Sequence, residues 1–346
     1  MTVDFADVVA LTNGAKFVRG DLHIHSYGGS HDVSDAAATP QGIVNSAQSH
    51  GLRLIAIADH NSIDNVEAGV AAALSQPLLV VPAVELRTMQ GHLLCYLPDF
   101  ASLQRFYLEL TVRDFGLANS RVENSMVDCL SKLQDFNGFG ILAHVDGPKG
   151  LEVEMPGGSP HKADILCHPA LFGFELKNAS SDVSYGPTDP DKTRRQFGIE
   201  RRERSGGSAS ALARVLNSDS HTLGALGRNT AGDQRVTRYK LHALTFEALR
   251  HALRDSDARV RLEDELPRTV PVVTGIRFKG GFLRDQMIHL SPNLTCIIGG
   301  RGTGKSTTFE AIRCFSGNPS GNTVINSDVW PDRVDLQFVE RWEGTS

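Results

Sequence analysis

Short apolar runs that end in imidazole or carboxylate side chains recur along much of this chain. Leu22 and Ile24 alternate with His23 and His25, and the stretch continues through a glycine pair to His31. Residues two apart on a strand share a face, so both imidazoles can reach one metal ion while Leu22 and Ile24 enter the core. Ile55 to Ala58 is a second run and delivers Asp59 and His60 to a loop. Val80 to Glu85, interrupted by Pro82, ends in a carboxylate, with His92 seven residues on. Gly140 to Ala143 leads into His144, and the strand beginning at Val215 ends in Ser-Asp-Ser-His, with Asp219 and His221. Strand ends that repeatedly present His, Asp or Glu predict a barrel-like α/β fold in which those ends and the following loops build the site.

The rest of the pattern is organised around this module. Leu103 to Phe136 reads as a largely helical insertion, longer than a minimal crossover, that covers the site or serves as an interface. Residues 235 to 261 read as a strand and then a helix, with Leu241, Leu244, Phe246, Leu249 and Leu253 at apolar spacing. Glu263 to Pro271, acidic and carrying two prolines, is the expected linker. Beyond it, Gly275 to Phe278, Ile288 to Leu290, Leu294 to Ile298 and Val334 to Val339 read as strands. Gly299-Gly-Arg-Gly-Thr-Gly-Lys-Ser306 follows the third of these and precedes a helical run from Thr307 to Phe315. That is the strand, loop and helix setting of a phosphate loop. ATP with magnesium is therefore expected on Gly299, Gly302, Thr303, Gly304, Lys305, Ser306 and Thr307. Backbone amides and the helix N-terminus would cradle the phosphates, Lys305 would reach the β and γ groups, and Ser306 would ligate magnesium.

Composition bounds the reading without directing it. A chain of 346 residues suggests two domains, and 40% hydrophobic with 22% charged residues is ordinary for a soluble protein. A net charge of −5 speaks against an overall basic nucleic-acid binder but not against a local basic patch. Five scattered cysteines without a Cys-x-x-Cys pair point to reduced thiols in the cytoplasm. The N-terminus lacks the basic and apolar regions of a signal peptide, and no apolar run approaches the roughly 18 residues that span a membrane. Imidazole mixed with carboxylate suits zinc, manganese or iron rather than calcium.

From about Val18 to Gly227, the order His-x-His, Asp-His, isolated Glu, middle His and terminal Asp-x-His resembles the PHP family of polymerase-associated and histidinol-phosphatase modules. The resemblance implies a distorted (β/α)7 barrel whose nine ligands hold up to three metal ions. His23, His25, Glu85 and Asp219 would hold the first. Glu85 would bridge to a second, completed by His92 and His144, and His31, His60 and His221 would hold the third. Asp32 could replace His31. His92 belongs to a variable part of the pattern. His168 in Cys-His-Pro competes with His144, which is favoured because it directly follows its strand. His23, His25, Glu85, Asp219 and His221 would form the catalytic heart, with attack on a phosphate ester by metal-bridged hydroxide. Asp21 and Asp59 are candidate acceptors that fix imidazole tautomers, although Asp21 could equally be a solvated strand start. Lys177, Asn178 and the basic run Asp191 to Arg204 could meet substrate phosphate, or be a strand-end turn and a solvated helix face.

The segment around the phosphate loop resembles the first lobe of ABC-type ATPases of the SMC and recombination-repair kind, and the combined order resembles the TrlF-like PHP-associated ATPases. Only 40 residues follow Ser306, and none form an apolar strand ending in paired Asp-Glu. The chain is thus expected to be a fragment, or to carry an incomplete ATPase half that a homo-oligomer or partner ATPase lobe would complete. The expected domains are 1–262 for the metal module with its leader and closing segment, 263–271 for the linker, and 272–346 for the ATPase lobe. The expected function is metal-dependent hydrolysis of nucleic-acid ends or nucleotides, without membrane involvement. The alternatives are an ATPase in which the metal module is a scaffold, and a metal amidohydrolase of similar architecture.

Overall fold

The computed structural model describes residues 4–10, 14–207, 211–228, 232–263, 272–291, 294–315, 317 and 328–339. They fall into two compact units, one built from residues 16–263 and the other from residues 4–15 together with 272–339. The expected linker lies, apart from Glu263, outside the described residues. No described helix is long and apolar enough to cross a membrane.

The first unit contains twelve strands: β1 (Lys16–Ile24), β2 (Leu54–Ile57), β3 (Leu79–Val80), β4 (Ala83–Thr88), β5 (Gly91–Tyr96), β6 (Val112–Arg113), β7 (Arg121–Val122), β8 (Phe139–Leu142), β9 (Leu171–Glu175), β10 (Ala213–Val215), β11 (Thr237–Leu241) and β12 (Val260–Leu262). Ten of them form two five-stranded sheets, ordered β12-β11-β1-β2-β3 and β10-β9-β8-β5-β4. Single bridges link the two sheets, Ile24 with Ser220 and His60 with Glu85. The expected barrel thus takes the form of two sheets rather than one continuous ladder. Pro82 stands where the chain leaves β3 in one sheet and enters β4 in the other. A residue without an N–H group suits such a switch, since it cannot serve a central ladder. The β4–β5 hairpin is antiparallel and interrupts the β/α alternation, placing His92 opposite Arg87.

Between the sheets, Leu22, Tyr96, Phe139, Phe172, Val215, Tyr239 and Phe246 share one core. Phe139 stacks on Tyr96, Phe172 and Phe246 at ring-centre distances of 5.1, 5.0 and 5.4 Å. Each such side chain contributes on the order of 1.5–3 kcal/mol by burial, so this aromatic stack is a principal tie between the sheets. The segment after β10 packs as read: β11 and the helix Phe246–Arg254 supply Leu241, Phe246, Leu249 and Leu253 to that core. The insertion consists of the helices Phe100–Leu108 and Met126–Asp135, capped by Asp99 and Ser125, with the small β6–β7 hairpin between them. The basic run is the helix Lys192–Arg204. Arg194 pairs with Asp189 at 2.9 Å, Arg204 with Glu200 and Asp164, and Arg201 donates to the carbonyls of Leu166, His168 and Leu171. Arg194 and Arg201 are thus tied into the fold, while Arg204 pairs at the surface.

In the second unit β14 (Met287–His289) and β15 (Arg333–Val339) flank β13 (Val272–Lys279), both antiparallel. Ile276, Phe278, Leu283 and Ala311 form its core beneath the helix Lys305–Phe315. Two expectations are corrected here. The leader was attached to the metal module, but its helix Phe5–Ala10 packs on β13 and β14. Gly275 makes that contact, because a Cβ there would lie 2.2 Å from Cγ1 of Val9. The run Leu294 to Ile298 is not a strand: it pairs with no described strand, and Leu294 and Ile298 are 76% and 90% exposed. Apolar composition favours a strand only where a neighbouring edge is available to pair.

Candidate metal centre

Glu85, fully buried near the middle of β4, is the focus of the site. Its carboxylate is surrounded by five imidazoles. Nδ1 of His60 and of His92 lie 2.7 and 2.8 Å away, with Nε2 of His23, His144 and His25 at 3.3, 3.4 and 3.5 Å. Burial works against the charged carboxylate, but the imidazoles of His60, His23 and His92 outweigh it and hold Glu85 well below the usual carboxylate range.

β1 supplies the next pair. Nε2 of His23 and Nε2 of His25 face each other at 3.1 Å. Their other nitrogens are committed: Nδ1 of His23 to Oε2 of Glu175 at 3.0 Å, and Nδ1 of His25 to the Ser30 hydroxyl at 2.9 Å. Ser30 in turn donates to Asp59 at 2.9 Å. This chain of donors fixes both rings with Nδ1 protonated, so two lone pairs converge on one point. Burial and the neighbouring His60 push His25 down to about 4, which keeps it neutral and able to ligate. Asp219 Oδ1 joins the pair at 3.3 Å from His25 and 3.6 Å from His23. Burial opposes its charge, yet His23 and His25 hold it below the usual range.

On the outer side, Asp32 Oδ2 lies 3.3 Å from Nε2 of His60 and 3.2 Å from Nε2 of His221. Burial alone would lower His60, but Glu85 and Asp32 raise it to about 10. His31 stands exposed on the cavity rim, its ring centre 5.7 Å from that of His60. Asp32, not His31, is therefore the side chain brought between His60 and His221. His144 is beside Glu85, whereas His168 is used elsewhere, with Ser131 on one ring nitrogen and the Ala170 N–H on the other. His60 sits in both outer groups, joining Glu85 and His92 as well as His25 and His221.

Three sets of ligating atoms, His23/His25/Glu85, His60/Glu85/His92 and His25/His60/His221, each lie within 4.8 Å of one another. Nδ1 of His60, Nε2 of His92, Nδ1 of His144 and Oε2 of Glu85 are buried and find no hydrogen-bond partner among the described residues. His60 Nδ1 and Glu85 Oε2 are 2.7 Å apart, yet the ring is not oriented for an N–H bond between them. Orphaned buried donors and acceptors are costly. Divalent cations suit this donor set, which is rich in imidazole and carboxylate and contains no thiolate.

The support beneath the site is only partly what the sequence suggests. Asp21 is buried, not solvated, and accepts from the backbone and hydroxyl of Ser218 and the N–H of Gly227. It holds the loop carrying Asp219 rather than any imidazole, and burial raises it to about 6 despite those bonds. Asp59 reaches His25 through Ser30. Of eight described non-glycine residues with positive φ, three lie at or beside the ligand cluster, Asn61, His144 and Asp219, at 48°, 28° and 52°.

The residue that sequence reasoning missed is Glu175. It was legible: Leu171 to Glu175 is another apolar run ending in a carboxylate, the same signal that marked Glu85. Its carboxylate accepts from His23 and, at 2.8 Å, from Asn217. Glu175→Gln is expected to weaken metal binding roughly 10–100-fold, the range for groups that orient a ligand. Titration against a chelating dye measures this, and unchanged affinity would deny Glu175 that role.

In the second unit Gly302 and Gly304 adopt φ of 81° and 90°, which side-chain-bearing residues avoid, and Lys305 opens the helix with Ser306 and Thr307 in its first turn. Lys305 Nζ donates to the carbonyls of Gly299 and Gly300 at 2.7 and 2.5 Å. The Thr303 hydroxyl also donates to Gly300.

Residues 278–330 match the family described as an AAA domain. The lesion-specific endonuclease from Pyrococcus furiosus is 18% identical with a TM-score of 0.51, the match covering 75% of this chain and 62% of that one. Endonuclease Q in complex with a 27-mer duplex bearing an abasic lesion matches at 18% identity and TM-score 0.51, over 75% of this chain and 63% of that chain. The chain thus spans less than two thirds of the length of either. A two-domain protein from Bacteroides vulgatus containing a PHP-like metal-dependent phosphoesterase is 15% identical with a TM-score of 0.47, over 80% of this chain and 84% of that one. No curated protein matches the sequence. At the level of fold, the chain resembles the two endonuclease structures, and residues 278–330 carry the AAA-domain match.

Proposed function

We propose that the chain is a metal-dependent phosphoesterase acting on nucleic acid or nucleotides, coupled to an ATP-binding lobe. The observation that carries the reading is one buried carboxylate, Glu85, ringed by five imidazoles at the edge of an open cavity of about 320 Å³. His23, His25, Glu85 and Asp219 would hold one divalent ion, and Glu85, His92 and His144 a second. His60 and His221, with Asp32 in place of His31, would hold a third. Divalent ions bound there would make water acidic enough to attack near neutral pH and would neutralise phosphoryl oxygens. The chain's own residues orient that chemistry: Glu175 and Ser30 fix the tautomers of His23 and His25, and Asp21 fixes the Asp219 loop. The cavity opens past His60, His92, His144 and His221, where a phosphate ester can enter.

The substrate preference for nucleic acid is supported by the fold shared with the two endonuclease structures. The ATP-binding role rests on the phosphate loop and on the AAA-domain match.

The test is elemental analysis followed by assays on phosphomonoesters, nucleotides and single-stranded nucleic acid with Mn²⁺ or Zn²⁺ supplied. Turnover is expected to vanish on chelation and in His25→Ala, whose imidazole belongs to two of the three ligand groups. Activity that survives both treatments would place the chemistry elsewhere.

A further inference from the structure

The cavity lining is chemically mixed. It includes imidazoles and carboxylates described above, and it also includes Arg87 and Lys149 with Leu117, Ala118 and Pro148. Arg87 lies two residues beyond Glu85 on β4, on the same strand face, and opposite His92 across the hairpin. Its Nη1 donates to the Ala118 carbonyl at 2.6 Å, which pins the tip of the β6–β7 hairpin to the cavity. Among the described residues neither Arg87 nor Lys149 pairs with a carboxylate. The cavity's own carboxylates are engaged by other groups, Asp32 by imidazoles and Asp219 by imidazoles and by Lys177 Nζ at 3.4 Å. Lys149 is held next to the site because its carbonyl accepts from the His92 N–H at 3.0 Å, in a left-handed backbone conformation with φ of 61°. A half-buried guanidinium and an ammonium without counter-charge, one strand step from the proposed metal ligands, form a site for a second anion.

We infer that Arg87 and Lys149 bind the phosphate neighbouring the scissile one, so that the substrate is a nucleotide chain rather than an isolated monoester. This rests on the phosphoesterase reading of the same cavity. Arg87 follows Glu85 by two residues on the same strand face and lines the same cavity as His92 and His144, which sets its side chain beside the ligand cluster. Guanidinium suits the task because its planar fork binds phosphate oxygens in pairs, while an ammonium contributes a point charge. Leu117, Ala118 and Pro148 offer the intervening sugar and base an apolar surface.

The experiment compares the dinucleotide TpT, which has one phosphate, with pTpT and TpTp, which add a neighbouring phosphate on either side. Turnover and equilibrium binding are both measured on the metal-supplied full chain. At least one of the two-phosphate compounds is expected to exceed TpT about tenfold or more in kcat/KM and in affinity, the scale of one charge-assisted contact. Arg87→Gln and Lys149→Gln should each draw that ratio towards one, and Arg87→Lys should retain part of it. Lys149 has an exposed side chain, so its variant keeps the test valid if loss of the Arg87 contact to Ala118 loosens the hairpin. A wild-type ratio near one, or a ratio that both Gln variants leave intact, overturns the inference. If none of the compounds is hydrolysed, the phosphoesterase reading fails, and the binding ratios alone decide whether the second-anion site exists.

Discussion

Glu85→Gln is expected to strip the protein of most of its metal and to lower phosphoesterase turnover by more than the roughly 10–100-fold typical of a supporting residue. Gln keeps the shape of the side chain but removes the charge. In the folded protein that charge stands within 3.5 Å of five imidazoles and belongs to two of the three ligand groups. A carboxylate can bridge two cations with its two oxygens, whereas an amide offers one weaker oxygen and an N–H group that repels a cation. The loss therefore reaches both ions at once. Elemental analysis of the purified variant and its turnover at saturating Mn²⁺ check this. Full metal occupancy with turnover within about tenfold of wild type would remove Glu85 from the centre of the site.

Much of the site was legible because its signal is local. A β-strand turns alternate residues to one face, so His23 and His25 could be assigned a shared direction without any tertiary knowledge. The polar residues that end apolar runs at Glu85, His144 and Asp219 followed the same logic, and the structure brings all of them together. What failed was long-range. Whether His31 or Asp32 reaches the cluster depends on the course of the loop after β1, where one residue's difference decides which side chain faces His60. Asp21 could not be placed because its partners, Ser218 and Gly227, lie 197 and 206 positions away in sequence. Glu175 carried the right signal, and His168 stands seven residues before it, but that imidazole is engaged by Ser131 and Ala170 and does not reach the carboxylate cluster.

The fold divides in the same way. The strand order could not be read, because the switch at Pro82 between two sheets depends on which edges are available, not on the residues within each run. The leader's place against β13 was equally hidden. Its apolar face, Phe5 and Val9, is short and meets a surface that begins more than two hundred and sixty residues later. The run Leu294 to Ile298 shows the converse: strong strand composition does not make a strand where no described strand pairs with it.

Lys305→Ala is expected to weaken ATP binding by at least tenfold while leaving nucleotide-free phosphoesterase turnover intact. In the structure the Lys305 ammonium closes on the carbonyls of its own loop, Gly299 and Gly300. A triphosphate offers that ammonium charged oxygens in place of neutral carbonyls, and charge-assisted bonds are roughly twice as strong as neutral ones. Alanine removes the gain and keeps the helix, since it is the best helix former. The residues around Glu85 share none of these groups, because the phosphate loop belongs to the unit of residues 272–339 and the metal ligands to that of 16–263. Nucleotide binding by calorimetry and phosphoesterase turnover measured with and without ATP separate the two. Brisk hydrolysis that depends on Lys305 would show that the lobe is catalytically sufficient as it stands. Loss of nucleotide-free phosphoesterase turnover in the same variant would show that the two sites are energetically linked through the chain.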